Sequence, residues 1–211
     1  MVWLTEARQL NRFIHLLQGL LILGVLTGCG TMNTLPPPAS PTAIQQFLMA
    51  QAVERSLPEE KTIPLSLTPG DTVILDITEL SGETGLTLPQ QFLKGAIGGW
   101  LGERGLKIVS EAKNAKYRVS ILVQGLGVEQ ENSLFGIPPI QSTLLPIALP
   151  QLSVYAKQNL SGYTRFRLDA YETATGQFVR STPWFQGSTY FNEYTILFFI
   201  DFQRTDLIGP F

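Results

Sequence analysis

Residues 116–128 read KYRVSILVQGLGV, and residues 162–172 read GYTRFRLDAYE. In the first, Tyr117, Val119, Ile121 and Val123 alternate with Arg118, Ser120 and Gln124; in the second, Phe166, Leu168 and Ala170 alternate with Arg165, Arg167 and Asp169. Alternation of apolar and polar side chains marks a strand with one buried face, because successive side chains point to opposite sides of a sheet. These two segments predict a sheet and fix which of its faces is packed. Thr173-Ala174-Thr175-Gly176 then supplies a turn, and residues 177–181 return as the second arm of a hairpin.

Outward from this pair, further strand signals follow. Thr68-Pro69-Gly70-Asp71 is a turn motif, and TVILDITEL after it is rich in β-branched residues. Asp76, in the middle of that strand, either faces solvent, meets an arginine from a neighbouring strand, or serves a site. Residues 106–109 predict a short strand. NEYTILFFIDF, residues 192–202, is apolar on both faces and predicts a last strand covered on both sides. With Asp201 inside, it is too short for a helical membrane span, though long enough for a barrel strand and an oligomeric pore.

Two segments carry helical periodicity. In residues 42–56, Ile44, Phe47, Leu48, Gln51 and Ala52 recur near helical spacing behind Thr42 or Ser40 as the start signal. The second, LPQQFLKGAIGGWLGERGLKIV, has Pro89 in its first turn and Gly105 at its end. Phe92, Leu93, Ala96, Ile97, Trp100 and Leu101 form one face, and Gly95, Gly98, Gly99 and Gly102 nearly the opposite one. Four internal glycines cost this helix about 3–4 kcal/mol relative to alanine. Two readings follow: a close approach by another backbone, either the 42–56 helix or a second copy of the chain, or a helix that tolerates glycine because its Trp100 face is well buried.

Between Glu131 and Lys157 the chain is uncharged and holds four prolines, which argues against a helix or a central strand. Residues 133–156 therefore predict a long loop, either a lid over the sheet or an apolar contact surface. The element order then gives an α+β fold: a mainly antiparallel sheet of about five or six strands with two helices on one face.

The N-terminal segment points to location. Arg8 and Arg12 precede an apolar run from Leu16 to Leu26, the order of a secretory signal. The run ends at VLTGCG, which contains Cys29, the only cysteine of the 211-residue chain. A lone cysteine closes the internal-disulfide reading and leaves a buried bystander, a reactive thiol, a metal ligand or a modification site. Leu26, Thr27, Gly28 and Cys29 resemble the lipobox of bacterial lipoproteins. That resemblance implies cleavage of residues 1–28 and diacylglycerylation of Cys29, with the acyl chains holding the protein on a membrane. Gly30 stands where an aspartate would favour the inner membrane, which makes the periplasmic face of the outer membrane the expected location. Residues 29–41, proline-rich after the cysteine, form the lipidated N-terminus and spacer, and residues 42–211 a single α+β domain.

Composition narrows the chemistry. Fifteen Lys+Arg against 17 Asp+Glu leave no basic excess for nucleic acid. The one histidine, His15, lies in the segment expected to be removed, so the mature chain holds no Ser-His-Asp triad and no histidine-based zinc site. No cofactor or metal motif is present: no Walker loop, EF-hand loop or HExxH pattern. Carboxylate pairs remain, Glu129 with Glu131 and Asp169 with Glu172, each read more simply as a solvated face or a turn.

Three stretches, TAIQQFLMAQAVERSL, AKYRVSILVQGLG with SLFGIPPI, and YTRFRLDAYETATGQFV, together resemble a family of small bacterial lipoproteins of unknown function. The strand-helix-strand core and lipid tether are more loosely similar to envelope-assembly lipoproteins, the curli-secretion channel type and the auxiliary lipoproteins of lipid transport. Long transmembrane hairpins of the channel type are not recognisable in the sequence. Two function classes follow: a non-enzymatic envelope lipoprotein that binds a protein partner or oligomerises through Gly95, Gly98, Gly99, Gly102 and the 133–156 segment, or a periplasmic ligand binder or carboxylate-dependent hydrolase.

Overall fold

The computed structural model describes residues 29–30, 41–60, 65–78, 85–137 and 152–209. Its elements, in chain order, are β1 (Cys29–Gly30), α1 (Ala43–Ser56), β2 (Thr72–Thr78), α2 (Leu88–Glu103), β3 (Lys107–Ile108), β4 (Tyr117–Ile137), β5 (Leu152–Glu172), β6 (Phe178–Ser181), β7 (Phe185–Ile196) and β8 (Ile200–Thr205). One sheet runs in the order β3-β2-β4-β5-β7-β8, with β1 paired to β4 and β6 to β5. The fold is α+β and the sheet is mostly antiparallel. One end differs: β2 pairs in parallel with both β3 and β4, because α2 carries the chain from β2 to β3 as a crossover.

Local chemistry sets each helix. Thr42 caps α1, its Oγ1 accepting from Gln45 N–H at 3.3 Å while Gln45 Oε1 accepts from Thr42 N–H at 2.9 Å. At the end of α2, Gly105 has φ +87°, with Leu106 N–H donating to Leu101 O and Gly105 N–H to Gly102 O. These two bonds are the Schellman closure expected of a glycine at that position. The Thr68–Asp71 turn docks against this cap, Gly70 N–H donating to Gly105 O at 2.8 Å.

The chain divides into two compact units. The larger comprises residues 36–130, 159–192 and 204–211 and contains both helices. Its core joins Val53 of α1, Leu93, Ile97, Trp100 and Leu101 of α2, Val73 and Leu75 of β2, Val119 and Ile121 of β4, and Phe166, Leu168 and Ala170 of β5. Phe185 meets Trp100 and Phe166 edge-on at 5.9 and 5.5 Å between ring centroids. α1 lies directly on backbone: a Cβ on Gly162 would stand 2.6 Å from Leu48 O, and one on Gly187 would collide with Ala52 O. These two glycines let the helix reach the sheet.

The smaller unit comprises residues 1–35, 131–158 and 193–203, and its described part contains strand segments and one turn. Two expectations are corrected here. Residues 133–156 are not one long loop: β4 continues to Ile137 and β5 begins at Leu152. All four prolines fall within 138–151, outside the described residues, and the uncharged segments on either side of them belong to β4 and β5. Residues 192–202 are not one strand either. The chain reverses at Leu197-Phe198-Phe199, where Leu197 and Phe198 take φ of 50° and 73°. No glycine, asparagine or proline announces this turn.

Candidate functional site

Two of the four α2 glycines, Gly95 and Gly99, lie in the floor of a groove. Glu54 and Leu57 from the end of α1, and Phe92, Gly95, Ala96, Gly99, Trp100 and Glu103 from α2, line a depression of about 550 Å³. The close approach of α1 to the glycine face of α2 is not made. A Cβ added at Gly95, Gly99 or Gly102 would meet nothing within 4 Å, and one at Gly98 only Leu75 Cδ1 at 3.5 Å. The close-packing glycines of the helix–sheet contact are Gly162 and Gly187 instead. Phe92, expected on the buried face, is 39% exposed at the groove.

The groove's wall is held in place by hydrogen bonds. Trp100 Nε1–H donates to Pro58 O at 2.9 Å, the Arg104 guanidinium lies 4.0 Å from the Trp100 ring centroid, and Arg104 Nη2 donates to Pro58 O at 2.7 Å. These bonds tie the segment after α1 to the end of α2, which preforms the groove. Its chemistry is apolar with a carboxylate from each helix, Glu54 and Glu103, and no hydroxyl, thiol or imidazole.

The second candidate region is the smaller unit. β1 pairs antiparallel with β4, Cys29 opposite Phe135 and Gly30 opposite Leu134. The next residue of β4, Gly136, abuts β5 so closely that a Cβ there would lie 2.9 Å from Ser153 Cα. Ser153 O and Val154 O in turn accept from Phe198 N–H at 3.0 Å and Leu197 N–H at 2.9 Å. Backbone contacts thus run across neighbouring strands from Cys29 to Phe135 and the adjoining Gly136, on to Ser153, and from there to Phe198. Phe198 and Phe199 are 55% and 77% exposed, with Leu197, Ile200 and Phe202 also exposed beside them. Behind the turn, Tyr194 stacks on Phe202 at 4.8 Å, with Lys157 Nζ 5.9 Å from the Tyr194 ring centroid.

The carboxylates singled out from sequence are scattered and structural. Asp76 faces solvent and accepts from Ile77 N–H at 3.0 Å. Asp169 accepts from Ser181 Oγ–H and pairs with Arg167 Nε at 3.2 Å, while Glu172 accepts from Thr175 Oγ1–H at 2.7 Å in the hairpin turn. Glu129 and Glu131 are exposed on β4. The Lys116 ammonium, hydrogen-bonded at 2.9 Å, and then the Thr68 N–H hold the Asp71 carboxyl below the ordinary range, and Asp71 raises Lys116 in return. That pair staples the 68–71 turn to the start of β4. Among the described residues, no group of three or more His, Cys, Asp or Glu stands close enough to hold a metal ion. No described helix is long and apolar enough to cross a membrane.

Sequence reasoning missed three elements: the apolar turn at 197–199, the pairing of Cys29 with β4, and an aromatic–guanidinium cluster in which Arg165 and Arg167 lie 5.4 and 5.3 Å from the Trp184 ring centroid. The alternation of Arg165 and Arg167 was legible as one face, but nothing in the sequence paired it with Trp184. Leu26, Thr27, Gly28 and the signal segment lie outside the described residues. The chain matches no protein-family model and no curated protein.

Proposed function

We propose that this protein is a lipid-anchored component of the bacterial cell envelope with a non-enzymatic role, binding a protein partner or a second copy of itself. On this reading residues 1–28 are a signal peptide, Cys29 carries the acyl chains, and the folded part is held at the periplasmic face of the outer membrane. The order of Arg8 and Arg12, an apolar run and Leu-Thr-Gly-Cys supports the anchor. The observation that carries the binding role is the α1–α2 groove: preformed, apolar, floored by glycines that leave room for a side chain or a helix from outside.

A photo-crosslinking residue at Phe92, in the rim of the groove, tests the binding role in the native envelope. The expected result is a discrete heavier species that Gly99→Leu, which fills the floor, removes. Recovery of monomer alone, from Phe92 and from Glu103 as a second position, contradicts it. The anchor has its own test: Cys29→Ala abolishes incorporation of labelled palmitate and stops signal removal, and unchanged processing overturns the assignment.

A further inference from the structure

The geometry points to the β7–β8 turn as a second, non-covalent membrane contact: Leu197, Phe198, Phe199 and Ile200 enter the same lipid leaflet that receives the acyl chains of Cys29. This rests on the lipid-anchor reading. A chain of backbone contacts carries it: Cys29 pairs with Phe135, the adjoining Gly136 abuts Ser153, and Ser153 O accepts from Phe198 N–H. Three strand spacings of about 4.8 Å put the acylation position and the turn about 14 Å apart along the sheet, and the one-residue step from Phe135 to Gly136 keeps them level to about 3.4 Å. An acyl chain entering a bilayer at one end of those contacts brings the other end to the same surface.

The turn has the chemistry for that surface. From Tyr194 to Ile200 the chain carries no charge, and its most exposed large residues are aromatic. A water-facing turn draws on Gly, Asn, Asp or Pro. Here Leu197 and Phe198 hold left-handed backbone, a conformation that side-chain-bearing residues rarely adopt, and do so with their apolar side chains outward. The stacked Tyr194–Phe202 pair and Lys157 stand behind the tip, the composition of a bilayer's polar boundary.

Charge position sets the depth. Asp201 lies two residues past Phe199, about 7 Å of strand, which matches the roughly 5–10 Å over which interfacial segments bury their apolar side. Spanning is another matter. β8 has six residues and includes Asp201 and Arg204, short of the roughly 9–11 residues a membrane-crossing strand needs. The tip therefore dips into the leaflet without crossing it.

Because the chain has one cysteine, a single probe tests this in the full chain. In the acylated chain, where the Cys29 sulfur is a thioether and unreactive to thiol probes, Phe199→Cys is labelled with an environment-sensitive nitrobenzoxadiazole dye and reconstituted in phosphatidylethanolamine–phosphatidylglycerol vesicles. The expected emission is blue-shifted, quenched by lipids brominated near the headgroup end of their acyl chains, and returned to a water-like value by adding Phe198→Asp. The same dye at Gln186→Cys stays water-like. Water-like emission at 199 overturns the proposal; so does a blue shift that brominated lipid fails to quench but that energy transfer between labelled copies accompanies, which assigns the tip to a second copy. Palmitate incorporation is measured on the same chain, so a water-like tip on an acylated chain overturns this inference alone, whereas a chain without palmitate overturns the anchor reading on which it rests.

Discussion

The two compact units use apolar residues in opposite ways. Every buried apolar residue among the described ones lies in the helix-containing unit, from Leu48 and Leu93 to Phe166 and Leu207. The strand-end unit has none, yet it exposes Ile137, Leu152, Tyr155, Phe198, Phe199 and Phe202. The first has the makings of a self-sufficient core. The second keeps its strands hydrogen-bonded and, among its described residues, stacks Tyr194 on Phe202 while exposing the apolar side chains of the 197–200 turn, a concentration of the kind that contact surfaces carry. Stability and interaction are thus expected to separate in mutagenesis.

The largest effect expected is Phe166→Ala, which empties the middle of the core and costs about 3–5 kcal/mol in urea unfolding. Phe199→Ala, removing an equally large ring, is expected to stay within about 0.5 kcal/mol of wild type. Equal losses at the two positions break the comparison. Next comes Gly187→Ala, whose new methyl collides with Ala52 O and is expected to lift α1 from the sheet at about 3 kcal/mol, read as a lowered urea midpoint at unchanged slope.

Two substitutions are expected to stabilise. Phe198→Gly relieves left-handed strain and raises unfolding free energy by about 1 kcal/mol while removing an apolar side chain from the tip, so stability and vesicle contact move in opposite directions. Gly99→Ala, with nothing within 4 Å of its new methyl, gains somewhat under 1 kcal/mol, read as a small rise in thermal midpoint. A loss at Gly99 like that at Gly187 would show that something in solution already occupies the groove.

The smallest effect is the pH response of the Asp71–Lys116 pair. The folded Asp71 carboxyl sits below its ordinary value of 3.8, so its stabilisation is fully present above that value and is lost as pH falls through the lower folded one. Lys116 is raised above 10.5, so its contribution is present below that value and lost as pH rises through the higher folded one. Asp71→Asn is therefore expected to lower the thermal midpoint slightly at neutral pH and to flatten its decline on the acid side.

The helix-containing unit was legible in the sequence because each signal there is local. Alternation marked β4 and β5, Thr42 and Pro89 marked helix starts, and Gly105 and Gly176 marked positions whose φ is +87° and +70°. The parallel pairing of β2 was not, since partner choice depends on where a crossover helix lays its strand. The strand-end unit departs from its sequence signals for a physical reason. The four prolines that predict a loop over 133–156 all lie within 138–151, while β4 and β5 take up the residues on either side, and a turn built from Leu197 and Phe198 follows none of the preferences that normally mark reversal. At the α2 glycines the sequence separated the apolar and glycine faces, but only coordinates distinguish an open groove from a helix contact.

Hydrogen exchange of the wild-type protein, compared between detergent solution and phosphatidylethanolamine–phosphatidylglycerol vesicles, tests the division of labour most directly. The account predicts that peptides covering 194–202 gain protection in vesicles while those covering 88–103 exchange alike in both. Equal exchange of 194–202 in the two media, or a change confined to α2, would contradict it.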